Sequence, residues 1–184
     1  MNIEVLNLGI GNVQSVVNWV DNSGFDHEIQ SGIEDYDHKN NILVIPGVAN
    51  SIELMRAINK KKKLREKLKG KLYKRIVGIC AGFHVLTNYI YEGENEISGL
   101  GLINAKTINM HSYRTGWGEI DFEIDHVMNI RDKVYYNHGC GVYLSSNKNK
   151  RVDYVFQERV VGLQFHPEKS GRYGIIIGKE IFSV

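Results

Sequence analysis

Two cysteines and two prolines are all that the 184-residue sequence holds of either kind. The cysteines, Cys80 and Cys140, form neither a disulfide framework nor a zinc spacing. A stapled secreted scaffold is therefore excluded and a reducing compartment, the cytoplasm, is expected. Pro46 and Pro167 each stand just past an apolar run, where proline closes a strand rather than breaking one. No run of about 18 apolar residues occurs, so no membrane span is expected. The opening Met1-Asn2-Ile3-Glu4 has neither the basic nor the apolar part of a signal peptide. Internal repeats and low-complexity linkers are absent. An excess of charge of one sign is lacking as well: the net value is +2, too mild to imply nucleic-acid binding. No His/Cys/acid spacing points to a metal, and no metal or cofactor is expected.

What is present is ordinary globular material, 42% hydrophobic and 24% charged. The length fits one domain over residues 1–184, able to bury roughly 70% of its unfolded surface without staples. Residues 3–8 read as a short strand that ends at Gly9-Ile10-Gly11. Val13, Val16, Val17 and Val20 then recur at helical spacing until Ser23-Gly24. Residues 27–30 suit a weak edge strand, 41–45 a buried strand, 52–68 a helix and 75–79 a third buried strand. A helical run follows Cys80 as far as Tyr89. The alternation predicts an α/β fold: an open, mostly parallel sheet flanked by helices. Beyond it, residues 103–110, 119–124, 134–136, 152–157 and 160–165 alternate in short runs, an antiparallel extension in the second half.

Charge is unevenly spread. Between Arg56 and Arg75 stand eleven Lys/Arg against one acid, Glu66, which leaves the rest of the chain with a net charge of −8. Such a run is either a solvated helix face or an electrostatic contact with an acidic partner or phosphorylated ligand. No aromatic residue interleaves the lysines, which disfavours single-stranded nucleic acid.

Chemistry concentrates in three turns. Gly9-Ile10-Gly11-Asn12-Val13-Gln14 begins like a dinucleotide fingerprint, but Gln14 takes the third glycine position. Nicotinamide and flavin are thereby excluded, and a tight turn with a helix start is left. In Val77-Gly78-Ile79-Cys80-Ala81-Gly82 an apolar strand runs into a small-residue turn and a helix. This is the setting of a nucleophile elbow with cysteine at its tip. The glycines permit close backbone approach, and the helix start offers free N–H groups and a positive dipole to a thiolate or an oxyanion. A lone cysteine there would be an ordinary buried residue. It is accompanied by Gln164-Phe165-His166-Pro167-Glu168, where an imidazole at a strand end has a carboxylate two residues on to hold its tautomer. Cys80, His166 and Glu168 thus form the generalised nucleophile–base–orienter set. Pro46-Gly47-Val48 closes another strand, and its glycine can expose consecutive N–H groups, one of which would complete an oxyanion hole with the Ala81 N–H.

In order along essentially the whole chain come Gly9-Ile10-Gly11-Asn12 with Ser15, Pro46-Gly47-Val48, Gly78-Ile79-Cys80-Ala81-Gly82, Gly116-Trp117, Tyr135-Tyr136-Asn137-His138 and His166-Pro167-Glu168-Lys169-Ser170. In these the chain resembles the class I glutamine amidotransferases of the Cys-His-Glu type, and among them the glutaminase subunits of imidazole glycerol phosphate synthase. The resemblance implies the flavodoxin-like class I glutaminase fold. It implies glutamine as substrate, with Cys80 as nucleophile, His166 as base, Glu168 as orienter and the Val48 and Ala81 N–H groups on the oxyanion. It implies substrate contacts at Gly47, Gly82, His84, Glu92, His138, Gly139 and Cys140. It also implies a heterodimer partner, a (β/α)8 cyclase subunit in histidine biosynthesis that receives the ammonia through a channel, with Asn12, Ser15 and Trp117 at the interface.

The chain departs from the family at several of these positions. His84 replaces the usual glutamine four residues past the nucleophile, and Ala81 replaces leucine. Residues 113–118 and 138–140 differ from the usual stretches near partner and substrate. Three alternatives follow: a glutaminase serving amidation or amidination of a surface-polysaccharide sugar, a non-catalytic regulatory or scaffold subunit, and a stand-alone cysteine amidase or protease. His27, His38 and His126 lie in polar contexts and are expected at the surface, while His111 is expected to be structural. Cys140 is expected to be a packed thiol near the substrate loop, Trp19 a core residue and Trp117 an interface residue.

Overall fold

The computed structural model describes residues 1–32, 38–70, 72–124, 128–146, 150–157 and 159–183. The expected His126 lies outside them. Strand β1 (Ile3–Leu6) leads through α1 (Val13–Asn22) to β2 (His27–Gln30) and β3 (Ile42–Ile45). Helices α2 (Ser51–Lys60) and α3 (Lys62–Lys69) precede β4 (Arg75–Ile79), α4 (Ala81–Leu86), β5 (Thr87–Glu92) and β6 (Asn95–Ser98). The long β7 (Ile103–Ile124) and β8 (Met128–Leu144) follow, then β9 (Arg151–Val152), β10 (Tyr154–Gln157), β11 (Val160–Leu163), a 3-10 turn (Pro167–Lys169) and α5 (Gly171–Phe182). No helix among the described residues is long and apolar enough to cross a membrane.

One sheet has the order β10-β11-β4-β3-β1-β2, and every neighbouring pair is parallel except β10 with β11. Its strands are apolar on both faces because both are covered. Ile3, Val5, Ile42, Val44, Val77 and Ile79 join the core shared with α1 and α5. Their alternates Leu6, Leu43, Ile45 and Ile76 join the core under α2 and α4. The period of two in each strand is thus read out as two separate cores. The second sheet, β6-β5-β7-β8-β9, is antiparallel apart from β5 with β7. The chain forms the expected parallel sheet with an antiparallel extension, but the runs at 152–157 and 160–165 belong largely to the parallel sheet, where β11 lies parallel to β4 and β10 closes the edge.

Several local expectations are corrected. The helix predicted over 52–68 breaks at Lys61 (φ −105°, ψ 78°). The break lets Leu64 and Leu68 turn inward. The helix after Cys80 stops at Leu86 rather than Tyr89. Thr87 Oγ donates to the His84 carbonyl at 2.8 Å, and the β-branched and aromatic residues after it form β5. Residues 103–110 and 119–124 are parts of one strand, β7, with a register shift between Asn109 and Arg114, and 134–136 belongs to β8. Helix α5 has no counterpart in the sequence reading, since Gly171, Gly174 and Gly178 weaken its local signal. A Cβ at Gly174 would lie 1.9 Å from the Pro167 carbonyl oxygen, and one at Gly178 would lie 2.9 Å from the Trp19 indole nitrogen. Close packing explains both glycines. Trp19 is buried as expected and donates to the Gly174 carbonyl at 2.7 Å.

His38 is not at the surface. It is fully buried, with Nδ1 2.8 Å from Glu4 Oε1, and Asn41 and Tyr73 also donate to that carboxylate. The buried acid on a central strand needs donors, and nothing in the sequence spacing links Glu4 to His38. His27 is half-buried beside Asp21 at 2.6 Å, and His111 lies exposed on β7.

Candidate active site

The strand order reverses between β1 and β3. At such a switch point the loops at the carboxyl edge part and leave a crevice. The β1 and β3 loops meet there, the Asn12 N–H donating to the Gly47 carbonyl at 3.2 Å. Gly11 has φ +101°, and a Cβ on it would lie 2.8 Å from a Val48 methyl carbon, so only glycine lets the loops approach this closely.

Cys80 stands at the end of β4. Its φ of 51° makes it the one non-glycine residue with positive φ among those described. Such a backbone costs about 1–3 kcal/mol and needs its surroundings to hold it. They do: the Cys80 N–H donates to the Leu163 carbonyl at 2.7 Å, and its own carbonyl accepts from Phe83 and His84 at 2.9 and 3.1 Å. Beneath the turn, a Cβ at Gly82 would lie 2.1 Å from the Ile45 carbonyl oxygen, and one at Gly78 would lie 2.4 Å from the Gly82 carbonyl oxygen. Gly82, expected as a substrate contact, is therefore a packing residue under the elbow and no part of the cavity wall.

His166 is set by the β8 edge. Its N–H donates to the Tyr135 carbonyl at 2.8 Å, and Ser170 Oγ bonds both the His166 carbonyl (2.6 Å) and the Tyr135 N–H (3.0 Å). Across the Pro167 turn, His166 Nδ1 lies 2.7 Å from Glu168 Oε1, and the Glu168 side chain is 1% exposed. His166 Nε2 is buried without a hydrogen-bond partner among the described residues, and the Cys80 thiol donates to the Asn137 carbonyl at 3.7 Å. Burial pulls the His166 pKa down, but the bonds and charges of Cys80 and Glu168 outweigh it and push it up to about 10. A Cβ on Gly47 would lie 3.1 Å from His166 Cε1 and 3.3 Å from Cys80 Cβ, so the β3 loop closes over both groups.

These groups open on a cavity of about 570 Å³. Of the residues singled out in the sequence, Asn12, Gly47, Val48, Cys80, Ala81, His84, Glu92, His138, Gly139, Cys140 and His166 line it. Glu168 stands behind His166, and Ser15 lines a separate cleft of about 280 Å³ on the far side of the Pro167 turn. Trp117 is 59% exposed on β7, edge-on to Tyr135 at 5.9 Å. Ser51 and Asn109, which no motif marks, line the same wall, as do Tyr113, Asn137 and Lys169, which stand in the quoted stretches without a role assigned to them there. Tyr113 lies in the stretch of β7 where the register shifts, between Asn109 and Arg114, and its hydroxyl donates to Asn137 Oδ1 at 3.1 Å across the β7–β8 hairpin.

His84 differs from expectation. Its Nδ1 is 2.7 Å from Ser51 Oγ and its Nε2 is 3.0 Å from Gln164 Oε1. An amide oxygen only accepts, so Nε2 carries the proton and Nδ1 accepts from the serine hydroxyl. Both ring nitrogens are committed inside the wall and neither is open to a substrate. Burial pushes its pKa down to about 4, against the Gln164 bond and with help from nearby His138 and His166, so the ring is neutral near pH 7. Glu92 accepts the Ser51 N–H at 2.7 Å, which fixes the start of α2 directly after the β3 loop. His138 donates from Nδ1 to the Cys140 carbonyl at 2.7 Å, and burial lowers its pKa to about 4. Burial, then Glu92 and Cys80, push the Cys140 thiol up to about 12, so it stays protonated near pH 7.

A strained cysteine on a strand-to-helix turn, faced by a His–Glu pair, is a constellation that sequence comparison can place. The model of the CobB/CobQ-like glutamine amidotransferase domain matches residues 16–170. The chain belongs to the class I glutamine amidotransferases. Curated relatives include imidazole glycerol phosphate synthase subunit HisH of Staphylococcus epidermidis, 31% identical over 95% of this chain and 93% of that protein. Subunit HisH 2 of Methanococcus maripaludis is 30% identical over 94% of this chain and 95% of that protein. Among solved structures, PurLQS from Thermotoga maritima superposes with a TM-score of 0.65 at 14% identity, covering 100% of this chain and 99% of that one. A glutamine amidotransferase superposes at 0.65 with 18% identity, covering 99% of each chain. These two likenesses bear on the fold, which is that of the class I amidotransferases.

Proposed function

We propose that this glutamine amidotransferase is the glutaminase subunit of a two-component synthase, with Cys80, His166 and Glu168 as its catalytic triad. One juxtaposition carries the proposal: the Cys80 elbow and the His166–Glu168 pair, 2.7 Å apart, meet under Gly47 at one cavity. In the reaction His166 stands as the imidazolium, with the Cys80 proton already on Nε2, while the sulfur attacks the side-chain carbonyl of glutamine. Glu168 stabilises that imidazolium. The Gly47 carbonyl is turned toward Asn12, so the trans peptide points the Val48 N–H away from that loop. With the Ala81 N–H at the start of α4, it would receive the oxyanion; one such donor is worth about 3–4 kcal/mol. His166 then protonates the leaving nitrogen, which departs as ammonia and leaves a γ-glutamyl thioester on Cys80. Water, deprotonated by the same imidazole, releases glutamate and restores the thiol. Glu92, His138, Gly139 and Cys140 form the wall available to the amino-acid end of the substrate.

The partner we propose is a (β/α)8 cyclase subunit of histidine biosynthesis. The end-to-end similarity to proteins named HisH supports it. Asn12 beside the cavity and exposed Trp117 on β7 would face the partner. The test is glutamate release by the purified chain, alone and with the cyclase of the same genome plus its ribonucleotide ligand, with Cys80→Ala as control. Stimulation lost in Cys80→Ala is the expected result. Hydrolysis that survives Cys80→Ala would sink the triad, and absence of stimulation would move the partner to a sugar-modifying synthetase.

A further inference from the structure

We propose that the groove between the β1 loop and helix α2 is a docking site for a carboxylate-bearing surface of the synthase subunit, one that steers that subunit onto the mouth of the active-site cavity. The inference rests on the two-component reading above. The groove has a volume of about 530 Å³. Leu8 and Ile10 supply an apolar wall, and Arg56, Lys60 and Lys61 supply three cations against the single acid Glu53.

Two observations define its occupant. The first is position. Ile10 lines the groove, and the next two residues, Gly11 and Asn12, line the active-site cavity, so one loop separates the two. A standard interface covers roughly 800 Å² on each side, a disc of about 16 Å radius. The chain from Leu8 to Asn12 spans at most about 14 Å. A subunit seated over the cavity to receive ammonia therefore also reaches the Leu8–Ile10 end of the groove, and the cations of α2 lie just beyond it. The second is charge. Residues 56–75 carry eleven cations and one acid, and the rest of the chain is net −8. That imbalance is not cancelled at the groove. Arg56 makes a 3.4 Å bond to the Asn95 side-chain oxygen and Lys61 reaches the Ser31 carbonyl oxygen at 2.5 Å, both neutral partners. Among the described residues no carboxylate pairs with Arg56, Lys60 or Lys61. The surface laid against them must bring the missing carboxylates. Exposed pairs of this kind add little affinity each, so their main effect is on the rate of productive encounter.

The test compares the wild-type chain with Arg56→Glu/Lys60→Glu/Lys61→Glu, using the (β/α)8 cyclase of the same genome as the probe. The readout is the cyclase concentration that half-saturates stimulation of glutamate release, from low salt to about 0.5 M NaCl. The wild type should weaken steeply with salt. The triple variant should need about 10–100-fold more cyclase at low salt, approach the wild type at high salt, and keep its unstimulated rate. Arg56→Gln/Lys60→Gln/Lys61→Gln should fall between them with a flatter salt response, and it decides the matter if the reversed variant does not fold. Equal half-saturation for all three proteins at low salt would overturn the docking role while leaving the two-component reading intact. So would binding of a labelled single-stranded RNA that the variants lose while cyclase half-saturation stays put, which would assign the groove to nucleic acid. A wild type that the cyclase does not stimulate at any salt would overturn the two-component reading, and the docking role with it.

Discussion

His84→Ala removes the one side chain that bridges Ser51 and Gln164, and its cost can be worked from the site. The hydroxyl of Ser51 (1% exposed) loses its acceptor and the amide oxygen of Gln164 (0% exposed) loses its donor. A buried polar atom left without a partner costs about 1–3 kcal/mol. The vacated space adjoins the active-site cavity, so water can enter and recover part of this. The expected net loss at pH 7.5 is about 3 kcal/mol, which for a chain of this size lowers the melting temperature by about 6–12 °C. The pH dependence carries a second signature. In the folded protein His84 titrates at about 4, and unfolded at about 6.5. The unfolded state therefore binds the extra proton between those values, and wild-type stability falls as pH drops from 6.5 toward 4. At pH 5 this linkage removes about 2 kcal/mol that the alanine variant never had. The gap between the two proteins should shrink from about 3 to about 1 kcal/mol between pH 7.5 and pH 5. Chemical denaturation at both pH values measures it. A gap that is the same at both would refute the neutral, doubly bonded His84.

Other outcomes follow from the same geometry. In Cys80→Ala, the His166 pKa should fall below its wild-type value, since sulfur is one of the groups that raise it, and imidazole chemical shifts in an NMR titration would show this. Gly82→Ala drives a methyl into the Ile45 carbonyl, 2.1 Å away, and should destabilise by about 3 kcal/mol or more, read as a lower denaturation midpoint or lost soluble yield. Trp117→Ala, at a 59% exposed site, should change stability by no more than about 0.5 kcal/mol while reducing stimulation by the cyclase. Glu4→Gln should cost several times more than an exposed Glu→Gln change, because His38, Asn41 and Tyr73 all converge on that carboxylate.

The sequence alone determined the parallel sheet, the Cys80 elbow and the His166–Glu168 pair. Apolar runs closed by glycine or proline mark β1, β3 and β4 because a strand covered on both faces has no polar alternative. Cys80 and His166-Pro167-Glu168 stand out because their chemistry depends on local turns, which short stretches of sequence encode. Residues 52–68 break at Lys61 and the run to Tyr89 stops at Leu86, where the Thr87 hydroxyl on the His84 carbonyl competes with helical spacing. Helix α5 was hidden because its glycines answer to Pro167 and Trp19, far away in the chain. Only the tertiary structure decided that His38 is buried on Glu4 and that His84 faces Ser51 and Gln164 rather than a substrate. It alone placed Tyr113 and Asn137 in the cavity wall. Each of these is a contact between residues 24 or more positions apart, set by strand register and sheet order, and no local pattern of residues specifies such a partner.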